Sequence, residues 1–385
     1  MENMKKVVIA IDSFKGSLST FQAGKAIAEG IKQVYKNAAI AISPIADGGE
    51  GTVDAIISAA NGKKVEVKVH NPLGAEIKAS YGIVPATNTA VIEMSAAAGI
   101  TLISENERNP LNTTTYGVGE IIAHAISNGC RKFVIGIGGS ATNDGGVGML
   151  QALGFEFLDK NGNQVEFGAK GLKDMAQIRT DKALPELKEC SFCVACDVKN
   201  VLCGDNGSSA IYGPQKGATA EMIKDMDLWL ENYAKLTKKV LPQSDANIPG
   251  TGAAGGLGFA LVSYLNATLQ SGINLVMKET ELEKHIVDAD IVVTGEGRLD
   301  GQSCMGKAPV GVASIAKKHN KPVIAFSGCV TEDAVACNDH GIDAFFPILR
   351  KPCTLEEAMN VDNAYNNLKD TACQVFRLIK TYSDI

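Results

Sequence analysis

Residues 134–146 read Val134-Ile-Gly-Ile-Gly-Gly-Ser-Ala-Thr-Asn-Asp-Gly-Gly146, and this stretch predicts a strand that runs through a glycine loop into a helix. Glycine lets a backbone approach a ligand closely and adopt positive φ without steric cost. Successive N–H groups at such a helix start can bind an anion. Ser140, Thr142, Asn143 and Asp144 add hydroxyl, amide and carboxylate groups at the same place. The alternative interpretation is a tight turn with a purely structural role.

Four further loops combine glycine with charged or hydroxyl side chains, each beyond a predicted strand or before a predicted helix. In open α/β sheets, ligands bind outside the carboxyl ends of the strands. The recurrence of such loops therefore favours a polyanionic ligand in a cleft. The loops are residues 12–17, 47–52, 250–258 and 294–300.

Composition narrows the class of protein. The chain has 385 residues, long enough for two domains, because single cores rarely grow beyond about 250–300 residues. Its net charge of −6 and scattered lysines and arginines argue against nucleic acid or an anionic membrane surface as a partner. No apolar signal or membrane-spanning segment is predicted, so we expect a cytoplasmic enzyme.

The cysteines and histidines do not predict a metal centre. Cys190, Cys193 and Cys196 lie three residues apart in an apolar segment that predicts a strand. Residues three apart on a strand point to opposite faces, and no nearby pair completes a tetrahedral site. Buried thiols in a reducing compartment are therefore expected, and the five histidines show no metal-ligand spacing.

The two ends of the chain share a strand–helix rhythm. Short apolar segments at 6–11, 39–45, 290–293, 321–326 and 344–349 alternate with predicted helices. Ser19 or Thr20 can cap the first of these helices. This alternation predicts a parallel sheet with helices on both faces.

The middle of the chain differs, with strictly alternating residues at 65–69 and a turn at 71–74. We therefore expect an α/β fold of two dissimilar domains. Residues 1–61 and 288–385 form a Rossmann-like parallel-sheet domain from both chain ends, and residues 62–287 form an inserted mixed α/β domain.

Two glycine motifs are near matches to nucleotide-binding signatures. Gly136-x-Gly138-x-x-Ala141 fits the loose dinucleotide fingerprint, which leaves a nicotinamide-dependent dehydrogenase acting on a small hydroxy acid as an alternative function. Gly301-Gln-Ser-Cys-Met-Gly-Lys307 has P-loop spacing, but Ala308 stands where a magnesium-binding hydroxyl is required. A true P-loop is therefore rejected, while Lys307 remains a candidate for binding phosphate or substrate.

Phosphoryl transfer needs cations for the phosphates, carboxylates for Mg²⁺ and a base for the attacking hydroxyl. The loops contain every one of these groups. The cations are Lys15, Lys216, Arg298 and Lys307, and the acids are Asp47, Glu50, Asp144, Asp197, Glu296 and Asp300.

Taken together, these segments resemble the glycerate kinases of bacterial type I over nearly the whole chain. The resemblance is carried by residues 12–17, 46–52, 136–146, 213–218, 252–256, 294–298 and 306–309, with Asp197 and Asn200. It implies ATP-dependent phosphorylation of D-glycerate with Mg²⁺, two dissimilar α/β domains and an active site in the cleft between them. It also implies 2-phosphoglycerate as the product. Ile11 and Val201 depart from the family pattern, which usually has proline at both positions.

The resemblance suggests roles for the loop residues. Lys15 and the 138–146 loop would hold ATP phosphates, Arg298 or Lys216 would clamp the glycerate carboxylate, and Asp197 would accept the hydroxyl proton. The expected Mg²⁺ ligands are Asp47, Glu50 and Glu296. Further substrate- or nucleotide-binding residues are expected at Asp12, Ser13, Gly138, Gly139, Ser140, Asn143, Gly145, Gly255 and Lys307.

Overall fold

The computed structural model describes residues 4–47, 49 and 51–383, and they form two compact units. The terminal unit comprises Met1–Asp47, Asp54–Ala60 and Ile273–Ile385. The central unit comprises Gly48–Val53 and Asn61–Gly272. The domain limits expected from the sequence stay a prediction.

The strands are short, and their labels run in chain order. They are β1 (Lys6–Ile9), β2 (Ala39–Ile42), β3 (Lys63–His70), β4 (Glu76–Val84), β5 (Thr89–Glu93), β6 (Lys132–Gly136), β7 (Glu156–Leu158), β8 (Gln177–Arg179), β9 (Ser191–Ala195), β10 (Thr268–Gln270), β11 (Ile291–Leu299), β12 (Val323–Val330) and β13 (Ala344–Pro347).

The helices range in length from a single turn to about six turns. They are α1 (Thr20–Lys32), α2 (Thr52–Ala59), α3 (Ser95–Ala98), α4 (Tyr116–Ser127), α5 (Val147–Ala152), α6 (Ala169–Lys173), α7 (Ser208–Tyr212), α8 (Ala220–Val240), α9 (Ala253–Leu265), α10 (Gly272–Glu279), α11 (Leu282–Ile286), α12 (Ala308–Lys318), α13 (Leu355–Met359) and α14 (Val361–Ser383). The 3₁₀ segments used below are Pro214–Lys216, Ser303–Met305 and Glu332–His340.

The terminal unit is built on a parallel sheet in the order β13-β12-β11-β1-β2. Val7, Val8 and Ile9 of β1 are fully buried, as expected for an interior parallel strand covered on both faces. α1 begins at the predicted N-cap, since the Ser19 side chain accepts from the Gln22 N–H and Gln22 bonds back to the Ser19 backbone. The parallel sheet predicted from the two chain ends is confirmed.

The register of this sheet brings the carboxyl ends of β1, β2 and β11 close together. Ile9 of β1 pairs with Val293 of β11 on one side and Ile42 of β2 on the other. Because the three strands are parallel and in register, the loops that follow them leave the same edge of the sheet. That edge carries the acidic residues described below.

The central unit contains a mixed sheet in the order β10-β9-β6-β5-β4-β3. β5, β6, β9 and β10 are parallel to one another, whereas β3, β4 and β5 form antiparallel pairs. The strictly alternating segment at 65–69 lies in β3, in agreement with its predicted period. The expected mixed α/β architecture is therefore confirmed.

Across the described ranges, no helix combines the length and the apolar character needed to span a bilayer.

Candidate active site

A group of acids lies in the loops at the carboxyl edge of the terminal sheet. Asp12 follows β1, Asp47 follows β2, and Glu296 lies in β11 near its carboxyl end. The Nζ of Lys15 donates to Oδ2 of Asp47 at 2.9 Å. The terminal unit therefore brings together four residues predicted for the site from sequence segments almost 300 residues apart.

Asp12 is the buried member of this group, with 4% of its surface exposed. Its Oδ1 accepts the Ser13 N–H at 2.6 Å, and its own N–H donates to the carbonyl of Gly295 in β11. Burial, together with the negative charges of Asp47 and Glu296, raises the pKa of Asp12 to about 7. Proton exchange at this carboxyl is thus poised near neutral pH.

Lys15 lies among these acids. Partial burial acts to lower the pKa of Lys15, but the carboxylates of Asp47, Asp12 and Glu296 raise it above its usual value. The ammonium is therefore firmly charged, and its side chain is 65% exposed. The ammonium is therefore accessible to a ligand that arrives from solvent.

Glu296 is held by the loop that resembles a P-loop in its spacing. The hydroxyl of Ser303 donates to Oε1 of Glu296 at 2.5 Å, and burial raises the pKa of Glu296. Asp300 lies between two cations, with Oδ2 at 3.4 Å from Nε of Arg298 and Oδ1 at 3.6 Å from Nζ of Lys307. Sequence reasoning missed Ser303, although its position inside the 301–307 motif was a usable signal.

The acids of the terminal unit fit a magnesium ion on the chemistry of their donors. Carboxylate oxygens are the ligands that Mg²⁺ prefers, and the pKa of Asp12 is raised first by burial and then by the negative charge of Asp47 and Glu296, which a cation would offset. No metal-binding group of three or more acids, histidines or cysteines is preassembled within the described residues. Mg²⁺ is usually held by one or two carboxylates plus substrate phosphates, so a smaller set suffices. Glu50 lies outside the described residues.

In the central unit, the 137–146 loop divides into an open half and a closed half. Gly138 and Gly139 are exposed, and Gly139 has φ +72. Side chains added at these two glycines would meet no atom closer than 3.5 Å. Residues 140–146 are buried. Within this loop, only Gly138 and Gly139 therefore offer backbone to a ligand on the surface of this unit.

The closed half is organised by Asp144. Its Oδ2 accepts from the N–H and the hydroxyl of Thr115, both at 2.8 Å, and from the Gly148 N–H at 3.3 Å. Its Oδ1 accepts from the Gly146 N–H at 3.1 Å. The N–H groups at the start of α5 are thus used inside the protein, which differs from the anion cradle expected at this helix.

Lys216 lies in the same closed region and is fully buried at 1% exposure. Its Nζ donates to Oγ of Ser140 at 2.8 Å and to the carbonyl of Thr142 at 2.6 Å. Burial lowers the pKa of Lys216 to about 7, against the opposing charge of Asp144. The Lys216 side chain therefore stabilises the glycine loop from inside the protein, because both of its hydrogen bonds go to residues of that loop.

The other loop residues predicted for the central unit have structural partners. The Asn143 amide donates to Oγ of Ser209 at 2.9 Å and accepts from Oγ of Ser208 at 3.2 Å. The Gly145 N–H donates to the Gly255 carbonyl at 2.9 Å. A side chain at Gly255 would lie 2.0 Å from the Thr142 carbonyl, so glycine is required there for close packing.

Asp197 lies beyond β9 and is exposed. Its Oδ1 accepts the Gly272 N–H at 3.0 Å, at the first residue of α10. A carboxylate is favourable at a helix start, so this bond stabilises the chain there. The role expected for Asp197 as a base stays a prediction.

The chain between β6 and α5 also bears on the dinucleotide fingerprint. A dinucleotide-binding glycine loop turns tightly from strand to helix so that the helix N-terminus faces the pyrophosphate. Here residues 137–146 separate β6 from α5, and the first N–H groups of α5 bond to Asp144 and Thr115. This geometry gives the dehydrogenase alternative no support.

The acids and the lysine lie beyond the carboxyl ends of a parallel sheet, which is where α/β proteins bind their ligands. The family model described as "Glycerate kinase family" matches residues 7–380. The chain therefore belongs to the glycerate kinase family.

Individual relatives cover nearly the whole chain. A glycerate 2-kinase of Escherichia coli (strain K12) is 48% identical, over 94% of this chain and 95% of that protein. A glycerate kinase of Haemophilus influenzae is 46% identical, over 97% and 98%. A crystal structure assigned to glycerate kinase 2 from Salmonella typhimurium LT2 superposes with a TM-score of 0.91 at 44% identity and covers 100% of both chains.

Proposed function

We propose that this protein transfers the γ-phosphoryl group of ATP to D-glycerate and forms 2-phosphoglycerate, with Mg²⁺ as the metal. Family membership over the full chain supports the kinase chemistry, and the name of the E. coli relative supports the 2-position. The need for ATP fits a cytoplasmic enzyme of glycerate or sugar-acid catabolism.

The observation that carries the proposal is the group formed by Asp12, Lys15, Asp47 and Glu296. A kinase needs carboxylates for the metal, a cation for the phosphates and a group that accepts the proton of the attacking hydroxyl. Lys15 is the charged and exposed cation, while Asp47 and Glu296 are the carboxylates that we assign to Mg²⁺. When bound, Mg²⁺ supplies charge neutralisation at the phosphate oxygens.

In the transfer itself, a hydroxyl oxygen of glycerate forms a bond to the γ-phosphorus while the bond to the β-phosphate oxygen breaks. ADP leaves, and the hydroxyl proton passes to a carboxylate. The sequence suggested Asp197 for this role. We propose Asp12 as a second candidate, because its carboxyl is buried among the residues of this group and close to Lys15.

Binding roles are assigned by accessibility within each unit. We propose that Arg298 and Lys307, both at least one third exposed, contact anionic groups of the substrates. Gly138 and Gly139 are proposed to offer backbone N–H groups to phosphate, and Ser13 to bind substrate. Ser140, Asn143, Gly145, Lys216 and Gly255 are proposed to act by shaping the loop.

The test is a coupled ADP-release assay with ATP, Mg²⁺ and D-glycerate, with L-glycerate and substrate-free reactions as controls. We expect ADP release that depends on D-glycerate. Phosphorus NMR of the product separates the 2- from the 3-phosphate by their different couplings. NADH formation from NAD⁺ and glycerate, with no ADP release, would contradict the kinase proposal, and a 3-phosphate product would contradict the assigned position alone.

A further inference from the structure

Two cysteines meet beside the candidate active site of the terminal unit. Sγ of Cys304, in the 3₁₀ segment Ser303–Met305, lies 3.2 Å from Sγ of Cys337, in the 3₁₀ segment Glu332–His340. Both are free thiols, with Cys304 partly exposed and Cys337 buried. Small side-chain rotations would bring the sulfurs to the disulfide bond length of about 2.05 Å.

The segment that carries Cys304 also holds the candidate site together. The neighbouring Ser303 donates to Glu296, and the same loop contains Asp300 and Lys307. On the other side, the Gly301 N–H bonds to Asp333 at the start of the segment that carries Cys337. A covalent bond between the cysteines would therefore join the 300–307 loop, which carries candidate site residues, to the 332–340 segment that packs against it.

We propose that Cys304 and Cys337 form a reversible oxidation site, in which a disulfide fixes the 300–307 loop on the 332–340 segment and lowers kinase activity. The effect on activity depends on the proposed function, whereas the formation of the disulfide does not. Cysteine pairs that sense oxidants combine a reachable thiol with a nearby resolving thiol.

The chemistry balances with a peroxide as the oxidant. The Cys304 sulfur attacks hydrogen peroxide, the O–O bond breaks, and a sulfenic acid and one water form. The Cys337 thiol then attacks that sulfur, an S–S bond forms, and the hydroxyl leaves as a second water with the thiol proton. The two sulfurs are oxidised by two electrons in total, and peroxide is reduced.

The surroundings of the two thiols indicate different roles in the oxidation. Burial and its contact with Cys304 raise the pKa of Cys337 to about 12, so Cys337 is the poorer nucleophile toward peroxide and loses its proton only as it attacks the oxidised Cys304. Cys304 is the thiol that peroxide can reach, because it is the partly exposed member. This order, exposed attacker and buried resolver, matches the sequence of steps above.

The disulfide is tested on the full chain, treated with hydrogen peroxide and then alkylated. Trypsin and Glu-C together cut after Arg298, Lys307, Glu332 and Arg350, which separates Cys337 from Cys329. We expect mass spectrometry to detect peptide 299–307 linked to peptide 333–350, with the link lost after dithiothreitol. Two alkylated, unlinked peptides, or a link from Cys304 to Cys329, would overturn the proposal.

The consequence is tested by hydrogen exchange and by activity. Oxidation should slow amide exchange in 299–307 and lower turnover by about ten- to hundredfold, because displacements of about 1 Å near a reacting centre have effects of this size. Both changes should reverse with dithiothreitol. Cys304→Ser and Cys337→Ala should keep full activity in peroxide, while the matched control Cys353→Ser, at an exposed position, should respond like the parent.

The outcomes separate the two proposals. A linked peptide with slowed exchange but unchanged turnover in an active kinase overturns the regulatory effect. A chain with no kinase activity even when reduced overturns the proposed function, and the linked peptide and the exchange data then still decide whether the oxidation site exists.

Discussion

Each unit contains an aspartate and a lysine in glycine-rich loops, but the two pairs differ in what surrounds them. In the central unit, Asp144 accepts four hydrogen bonds and Lys216 donates two, all within the protein. In the terminal unit, Asp12 is buried near two further acids, and Lys15 is mostly exposed. The same residue types therefore stabilise a loop in one place and, in our proposal, bind ligands in the other.

The difference teaches that residue type and glycine context do not by themselves identify a reactive group. A buried carboxylate with four donors is an anchor, because its bonds are already made. A buried carboxylate next to other acids carries an energetic cost that a cation or a proton would relieve. The variants below test this contrast, beginning with the largest effect.

Replacement of Asp12 by Asn should lower turnover by about 10²–10⁴-fold, the usual contribution of a general base. The fold should survive, because the folded pKa of about 7 lies above the ordinary 3.8. The folded state favours the protonated carboxyl, so the free energy of unfolding falls as pH rises from 3.8 to about 7 and the carboxyl ionises. At pH 8 the uncharged amide of Asn should therefore cost no stability relative to the ionised Asp12. Steady-state kinetics and urea unfolding measure the two effects.

The matched control for that experiment is Asp197→Asn. If Asp12 accepts the proton, Asp197→Asn keeps turnover within a few-fold of the parent. The reverse result, near-normal turnover in Asp12→Asn and a large loss in Asp197→Asn, would assign the base to Asp197.

Asp144→Asn should instead act through stability. Both carboxylate oxygens accept N–H donors, so in either orientation the new amide NH₂ would face a donor of Thr115 or of Gly146, and we expect the free energy of unfolding to fall by about 3 kcal/mol. Urea unfolding of the central unit measures this loss. Unchanged stability with lost turnover would remove the contrast between the two aspartates.

Lys216→Met should change how stability depends on pH. The folded pKa of Lys216, about 7, lies below the ordinary 10.5, so the unfolded chain binds an extra proton between these values. The stability of the parent relative to Lys216→Met should therefore rise by about 1–2 kcal/mol between pH 7 and 9. A pH-independent difference in urea midpoints would mean that the buried lysine stays charged.

Lys15→Met should have the smallest effect on stability, under about 1 kcal/mol, because an exposed ion pair contributes little. Its effect should be on KM for ATP, which we expect to rise. Thermal unfolding and ATP titration separate the two quantities, and unchanged KM would remove Lys15 from the phosphate site.

Much of the fold could be predicted from periodicity and capping. The cap expected at Ser19 or Thr20 predicted the start of α1, and apolar runs at both chain ends predicted the parallel sheet. The small elements of the middle could not be read in the same way. Segments such as β7, β8 and α6, three to five residues long, are too short to show a period.

By itself, the sequence determined the α/β class and the family and predicted the candidate site loops, because these depend on local patterns and on long motifs. Only the tertiary structure decided what each loop residue can do. Whether Asp144 and Lys216 meet partners, and whether Asp12 meets other acids, depends on side chains far away in the chain. Burial and hydrogen-bond partners set the energy of a charge, and folding alone supplies them.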